Sequence, residues 1–211
     1  MRITKYEHAC FVASLGDKKL VVDPGSFTVP LPDMNNIVGV VITHEHGDHW
    51  TPEHLQRILE NSPEAKFYAP AGVAAAASDF QFTVVKAGDK IEADPFTLEF
   101  FGEQHAVIHS SIPLVDNVGV LINGEVFYPG DSFTPGPVGV EVLAVPASAP
   151  WLKIGEVMDY VTLMKPKRSF PTHEMINSVI GNGMANGRIE ALTTAGGGEF
   201  FPLTPGDSIE L

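Results

Sequence analysis

Residues 43–49 read Thr-His-Glu-His-Gly-Asp-His, which places His44, His46, Asp48 and His49 within six positions. Imidazole nitrogens and carboxylate oxygens are the ligands that a borderline divalent cation such as zinc prefers. The run follows Val-Gly-Val-Val-Ile (38–42), a short apolar stretch that predicts a buried strand, so the four side chains are expected on the loop where that strand leaves the core. Histidines at i and i+2 suit an extended loop; the helical zinc-protease pattern needs them at i and i+4. Glu45, between the two, is predicted to point away. Gly47 is expected to fold the loop back through a positive φ. A solvated polar loop rich in histidine is the bland alternative, and four ligand-type side chains in six positions weigh against it.

The chain offers more ligands at intervals. His105 follows an alternating stretch (Phe96, Leu98, Phe100), Asp131 follows Phe-Tyr-Pro-Gly, and His173 follows Phe-Pro-Thr. Seen alone, an Asp after Gly is a turn residue and a lone His is structural. Together they repeat the placement of the first cluster, a ligand-type residue at the end of an apolar segment. One tetrahedral zinc takes about four ligands. Seven candidates therefore exceed one ion and suit two, with Asp131 and a water shared between ions roughly 3.5–4 Å apart.

With these residues in this order, the chain resembles the metallo-β-lactamase superfamily of binuclear metallohydrolases along nearly its whole length. Flanking phrases, His8-Ala-Cys-Phe, Leu-Val-Val-Asp-Pro-Gly (20–25), Tyr-Pro-Gly-Asp-Ser (128–132) and Pro-Thr-His (171–173), are most similar to the small bacterial branch that includes ascorbate-6-phosphate lactonase-like proteins. The resemblance implies that His44, His46 and His105 hold one metal, that Asp48, His49 and His173 hold the second, and that Asp131 bridges them. It also implies that Asp23 supports the ligands from behind, and it implies a four-layer αββα sandwich. The implied reaction is hydrolysis of a small ester, lactone or phosphoester through a metal-bridging hydroxide, with Asp48 and Asp131 as the catalytic carboxylates. Zinc is the first expectation for the two divalent ions, with manganese, iron or nickel as alternatives.

The elements that must carry these residues can be read coarsely. Strands are predicted near 2–6, 9–15, 19–22, 38–42, 66–69, 82–85, 90–93 and 96–101, then near 106–108, 117–122, 125–128, 141–145 and 168–171. Helices are predicted near 52–60, opened by Thr51 and Pro52, and near 71–78, 152–164 and 174–189. Gly-Gly-Gly (196–198) and Pro-Leu-Thr-Pro-Gly-Asp (202–207) read as turns around a last strand. Short strands alternating with helices in two similar halves suggest two mixed sheets packed face to face with helices outside, an α/β fold in one domain over 1–211.

Composition fits a soluble enzyme. The 211 residues are 44% hydrophobic, enough for one sizeable core. No apolar h-region opens the chain and no apolar run approaches a membrane span. The single cysteine, Cys10, permits no intrachain disulfide, which agrees with a reducing cytoplasm, and its apolar setting marks it as a core residue. A net charge of −13 argues against nucleic acid as a partner and leaves a small anionic molecule drawn to bound cations. The densest basic patch, Lys165, Lys167 and Arg168, reads as a solvated strand entrance or, in a functional reading, a cationic rim.

Other residues carry weaker expectations. His8 reads equally as a buried structural residue or as a group near the site. His109 is a candidate to face substrate, Trp50 and Trp151 are candidate pocket linings, and His54 is expected to be exposed. Among other classes, a flavodiiron oxidoreductase would show Glu in place of His46 and a flavin domain. A glyoxalase-type thioesterase would carry a helical extension. A phosphodiesterase or nuclease and a non-catalytic metal-binding protein of the same fold remain as alternatives. Oligomeric state is not legible.

Overall fold

Phe96, Leu98 and Phe100 are fully buried while Thr97 between them is exposed, the alternation of a strand with one face in a core. The computed structural model, which describes residues 1–211, builds such strands into two sheets. The first half runs β1 (Arg2–Lys5), β2 (Phe11–Leu15), β3 (Lys18–Val22), β4 (Ile37–Val41), α1 (Pro52–Asn61), β5 (Lys66–Ala69), α2 (Ala71–Ala76) and β6 (Phe82–Val84). The second runs β7 (Lys90–Ala93), β8 (Phe96–Phe101), β9 (Gly119–Ile122), β10 (Val126–Tyr128), β11 (Val142–Pro146), α3 (Ile154–Met164), β12 (Arg168–Thr172), α4 (Val179–Ala195) and β13 (Glu199–Phe200). A last strand, β14 (Ser208–Glu210), returns to the first sheet and pairs antiparallel with β1.

The halves share a plan. Each begins with antiparallel hairpins, β1-β2-β3 or β7-β8-β9-β10, and continues as parallel strands, the first reached through a loop and the next two through helices. Three apolar clusters separate four layers. One lies between the sheets, where the Phe11 ring meets Tyr128 and Phe170 edge-on at 5.7 and 5.8 Å. The second seats Leu55 and Ile58 of α1 and Val73 of α2 on the first sheet. The third seats α3 and α4 on the second sheet through Val157, Val161, Met164 and Ile189. Central strands feed two of these clusters at once: Val41 faces the other sheet, whereas Val40 and Ile42 face the helices. Their unbroken apolar runs follow from burial on both faces. This is the α/β, αββα architecture that the sequence suggests. No helix is long and apolar enough to cross a membrane.

Three details differ from the sequence reading. Residues 106–108 form no strand; Val107 is 66% exposed and the segment belongs to the long loop between β8 and β9. Helix α4 starts at Val179, because His173 turns through φ 61° and Ser178 caps the helix by accepting from Gly181 N at 3.1 Å. Strand β14 was not expected, since only Ile209 among its three residues is buried.

Candidate metal centre

The seven candidate ligands and Asp23 all lie in segments that follow the end of a strand. Asp23 follows β3, the His44–His49 loop follows β4, His105 follows β8, Asp131 follows β10 and His173 follows β12. The loop carrying four of them is pressed close against the segment after β3. A Cβ added at Gly25 would lie 1.8 Å from the Asp48 carbonyl oxygen, so only glycine allows this approach. Gly47 does not take the positive φ expected of it. The loop turns instead through a hydrogen bond from His49 N to His46 O (3.0 Å), and Ser26 N holds Gly47 O at 2.9 Å.

All seven candidate ligands come together. His44, His46 and His105 form one group whose ligand atoms lie within 4.8 Å of one another; Asp48, His49 and His173 form another with His8; Asp131 groups with His44 and His49. Asp131 reaches both sets: its carboxylate oxygens lie 3.4 Å from His105 Nε2, 3.3 Å from His49 Nε2 and 3.0 Å from His173 Nε2. Glu45 is outside these groups, as expected.

The outer nitrogens of four histidines fix where the protons sit. His49 Nδ1 faces Asp23 Oδ2 at 2.7 Å, His105 Nδ1 faces Ala106 O at 2.5 Å and His173 Nδ1 faces Ser148 O at 2.5 Å. Carbonyl and carboxylate oxygens only accept, so each Nδ1 carries a hydrogen and each neutral ring presents a bare Nε2 to the centre. Thr43 Oγ1 donates to Asp23 Oδ2 at 2.7 Å and therefore accepts from His44 Nδ1 at 3.1 Å, which leaves His44 in the same tautomer. His49 Nε2, His105 Nε2, His173 Nε2 and Asp131 Oδ1 are buried without a hydrogen-bond partner. Buried polar atoms are normally paired, and lone pairs converging in this way fit divalent cations.

In the metal-free protein protons take up part of that role. Burial would lower His49, but Asp131 and Asp23 override it and hold its pKa well above the usual value. His173 likewise resists burial, mainly through Asp131, and is raised to about 9. Burial and the neighbouring imidazoles push His44 and His46 down. Asp131 and Asp48 overcome burial through the histidines around them and titrate far below the carboxylate range. Burial also lowers His8, to about 4.

The residues with weaker expectations separate here. Asp23, fully buried, accepts from Thr43 N and Thr43 Oγ1 as well as His49. His8, also fully buried, lies 3.1 Å from Asp48 Oδ2 through Nε2. Trp151 donates its indole N–H to Asp131 Oδ2 at 2.9 Å. Trp50 donates to Glu45 O at 3.0 Å and packs on the apolar cluster beneath α1, so it pins the loop and covers the core. His109 stands apart, exposed and bonded to Ser111. His54 is buried, not exposed, with Nε2 on Thr28 O at 2.9 Å. Lys167 and Arg168 pair with Glu141 at the start of β12, away from His173 beyond its other end, so the basic patch is a solvated strand entrance. Cys10 is a buried core residue.

Sequence reasoning missed four supports. Thr43 relays Asp23 to His44. Asn117, fully buried, accepts from Asp131 N and donates to Pro129 O. Ser148 fixes the His173 ring and donates to its carbonyl. Lys5, 0% exposed, donates to the Tyr6 and His8 carbonyls and to Glu174 Oε1. Only Lys5 left a signal in the sequence: it falls two positions after Ile3, on the face of β1 that points into the core. Backbone geometry adds another mark: His8, Asp23 and His173 all adopt left-handed φ, at 58°, 45° and 61°.

Comparison with known proteins gives the family and the fold. Residues 2–173 match the model of the β-lactamase superfamily domain. Protein Rv0786c of Mycobacterium tuberculosis is 35% identical over 200 residues, covering 92% of this chain and 93% of that protein. Two solved structures share the fold. Igni18, described as a metallo hydrolase from Ignicoccus hospitalis, superposes with a TM-score of 0.73 at 18% identity, covering 99% of this chain and 97% of that one. The metallo-β-lactamase fold protein YhfI of Bacillus subtilis gives 0.75 at 17% identity, covering 99% of each.

Proposed function

This chain belongs to the β-lactamase superfamily, and on that premise we propose that it is a metal-dependent hydrolase that uses two divalent ions to cleave a small ester, lactone or phosphoester. The observation that carries the reading is the convergence of buried, unpartnered lone pairs on His49, His105, His173 and Asp131. In this reading His44, His46 and His105 hold one ion, Asp48, His49 and His173 hold the other, and Asp131 serves both. Zinc is the first candidate, with manganese, iron or nickel as alternatives. Bound ions of this kind supply a water of lowered pKa and polarise the scissile carbonyl or phosphoryl oxygen.

The protein's own groups do the rest. Asp23, Ala106 O and Ser148 O fix the tautomers of His49, His105 and His173, so that no rearrangement is needed to present Nε2. The Asp48 side chain is 27% exposed against 4% for Asp131, so Asp48 is the carboxylate that solvent and substrate can reach. Asp131, buried and held by Trp151, remains an anion. Cations set in a chain of net charge −13 form a local positive well that favours small anions over polyanions such as RNA. The likeness to ascorbate-6-phosphate lactonase-like proteins supports lactones and phosphorylated small molecules as the first substrates to try.

Elemental analysis of metal-loaded protein, alongside a panel of sugar lactones, phosphoesters, a chromogenic β-lactam and RNA, tests this reading. Two ions per chain with metal-dependent turnover of a lactone or small phosphoester is the expected result. Efficient RNA cleavage without either activity would overturn the substrate class, and metal binding without turnover on any substrate would favour a non-catalytic role.

A further inference from the structure

His8 lies among the residues whose atoms could hold the second ion, since its ring nitrogen falls within 4.8 Å of ligand atoms on Asp48, His49 and His173. Its protons say otherwise. Met175 N–H points at His8 Nδ1 at 3.3 Å, so Nδ1 is the bare acceptor and the ring hydrogen sits on Nε2. That is the reverse of His44, His49, His105 and His173, whose Nδ1 carries the hydrogen and whose Nε2 faces the centre. His8 Nε2–H faces Asp48 Oδ2 at 3.1 Å and can only donate to it. The backbone of the same residue is engaged from the other side. His8 O accepts from His173 N at 3.0 Å and from Lys5 Nζ at 2.8 Å, and the His8 ring lies against the His173 ring with centroids 3.9 Å apart. One residue after β1 thus grips both the Asp48 loop and the His173 turn, which are 125 positions apart in sequence.

We propose that His8 is a positioning residue for the second metal position and not one of its ligands: it donates to Asp48 and anchors His173, setting the spacing between them. The metal part of this inference rests on the two-ion reading above. A donor at this point is needed because Asp48 is the least buried of the two candidate carboxylates and has no other side-chain support except the ring nitrogens that would face the ion.

The test begins without metal. Histidine 15N–1H spectra of the metal-free protein should show His8 protonated on Nε2 only. Titration with 113Cd should then give 113Cd–15N coupling to His49 and His173 and none to His8. His8→Ala should weaken the second ion by about 10–100-fold, the usual loss for such supports, while the first ion is little changed. His8→Gln, whose amide N–H can reach Asp48 but which supplies no imidazole, should restore most of that affinity. Coupling of cadmium to His8, an Nδ1–H tautomer, or a His8→Gln variant as weak as His8→Ala would overturn the proposal. If the unmutated protein binds a single ion, the two-ion reading falls, while the tautomer in the metal-free protein still decides whether His8 donates to Asp48.

Discussion

Replacing Lys5 by Met is the most searching perturbation of the frame beneath the site. Lys5 is fully buried, and its three donors are matched to Tyr6 O, His8 O and Glu174 Oε1. Met fills the volume but leaves Glu174, with a side chain only 12% exposed, as an uncompensated anion, and strips Tyr6 O of the donor it now has. His8 O keeps its bond from His173 N. Breaking a buried pair from one side costs about 3–5 kcal/mol, and a stranded carbonyl about 1–3 kcal/mol. Adding Glu174→Gln removes the stranded charge, so the double variant should recover most of the first cost and retain the second. Urea denaturation of chelator-treated protein measures both. The pH profile carries a definite sign. Burial lowers Lys5 from 10.5 and Glu174 only partly restores it. Between the lowered value and 10.5 the unfolded chain holds a proton that the native chain has shed, so the stability of wild type relative to Lys5→Met rises with pH across that window. A single variant destabilised by less than about 1 kcal/mol, or a double variant no better than the single, would refute this account of Lys5.

Other expectations are simpler to check. Asp131→Ala should weaken at least one of two bound ions and abolish hydrolysis, read by elemental analysis and turnover; wild-type turnover in that variant would count against the mechanism. Trp151→Phe keeps an aromatic ring against Phe133 and His105 but removes the N–H on Asp131 Oδ2. It should lower metal affinity by about 10-fold or more, with unchanged affinity arguing that the bond is incidental. Stripping the metal should lower the melting temperature, because an ion at a thousand times its Kd stabilises the native state by about 4 kcal/mol; an unshifted melting curve on chelation would mean that the cluster holds no ion.

How much of this was legible in the sequence depended on whether chemistry or geometry made a residue special. His44, His46, Asp48, His49, His105, Asp131 and His173 announce themselves by type and by their position after apolar runs, and the chain brings all seven together. Apart from β14, the strands of the two sheets were legible because burial on one or both faces imposes alternation or an unbroken apolar run. Thr43, Asn117 and Ser148 were not, because hydroxyl and amide side chains are common in turns and act here through partners distant in sequence. Residues 106–108 misled because apolar residues also occur in exposed loops. His54 misled because a histidine on a helix face gives no sign that Thr28 O, 26 positions earlier, will meet it. His8 kept two readings open until the bond from Met175 N fixed its tautomer.

The left-handed backbone at His8, Asp23 and His173 has a consequence for how this protein can change. For residues other than glycine, and to a lesser degree asparagine and aspartate, that conformation costs about 1–2 kcal/mol per residue, against a total stability of about 5–15 kcal/mol for a typical domain. Glycine at these three positions would relax the chain, yet each replacement would remove an imidazole or a carboxylate from the cluster. Selection for heat resistance alone therefore pulls against selection for chemistry at the same three codons. A lineage released from the second pressure would be expected to lose its site first at positions 8, 23 and 173, with both sheets intact, and such a relative would keep the sandwich while its histidine-rich loop after β4 still looked complete.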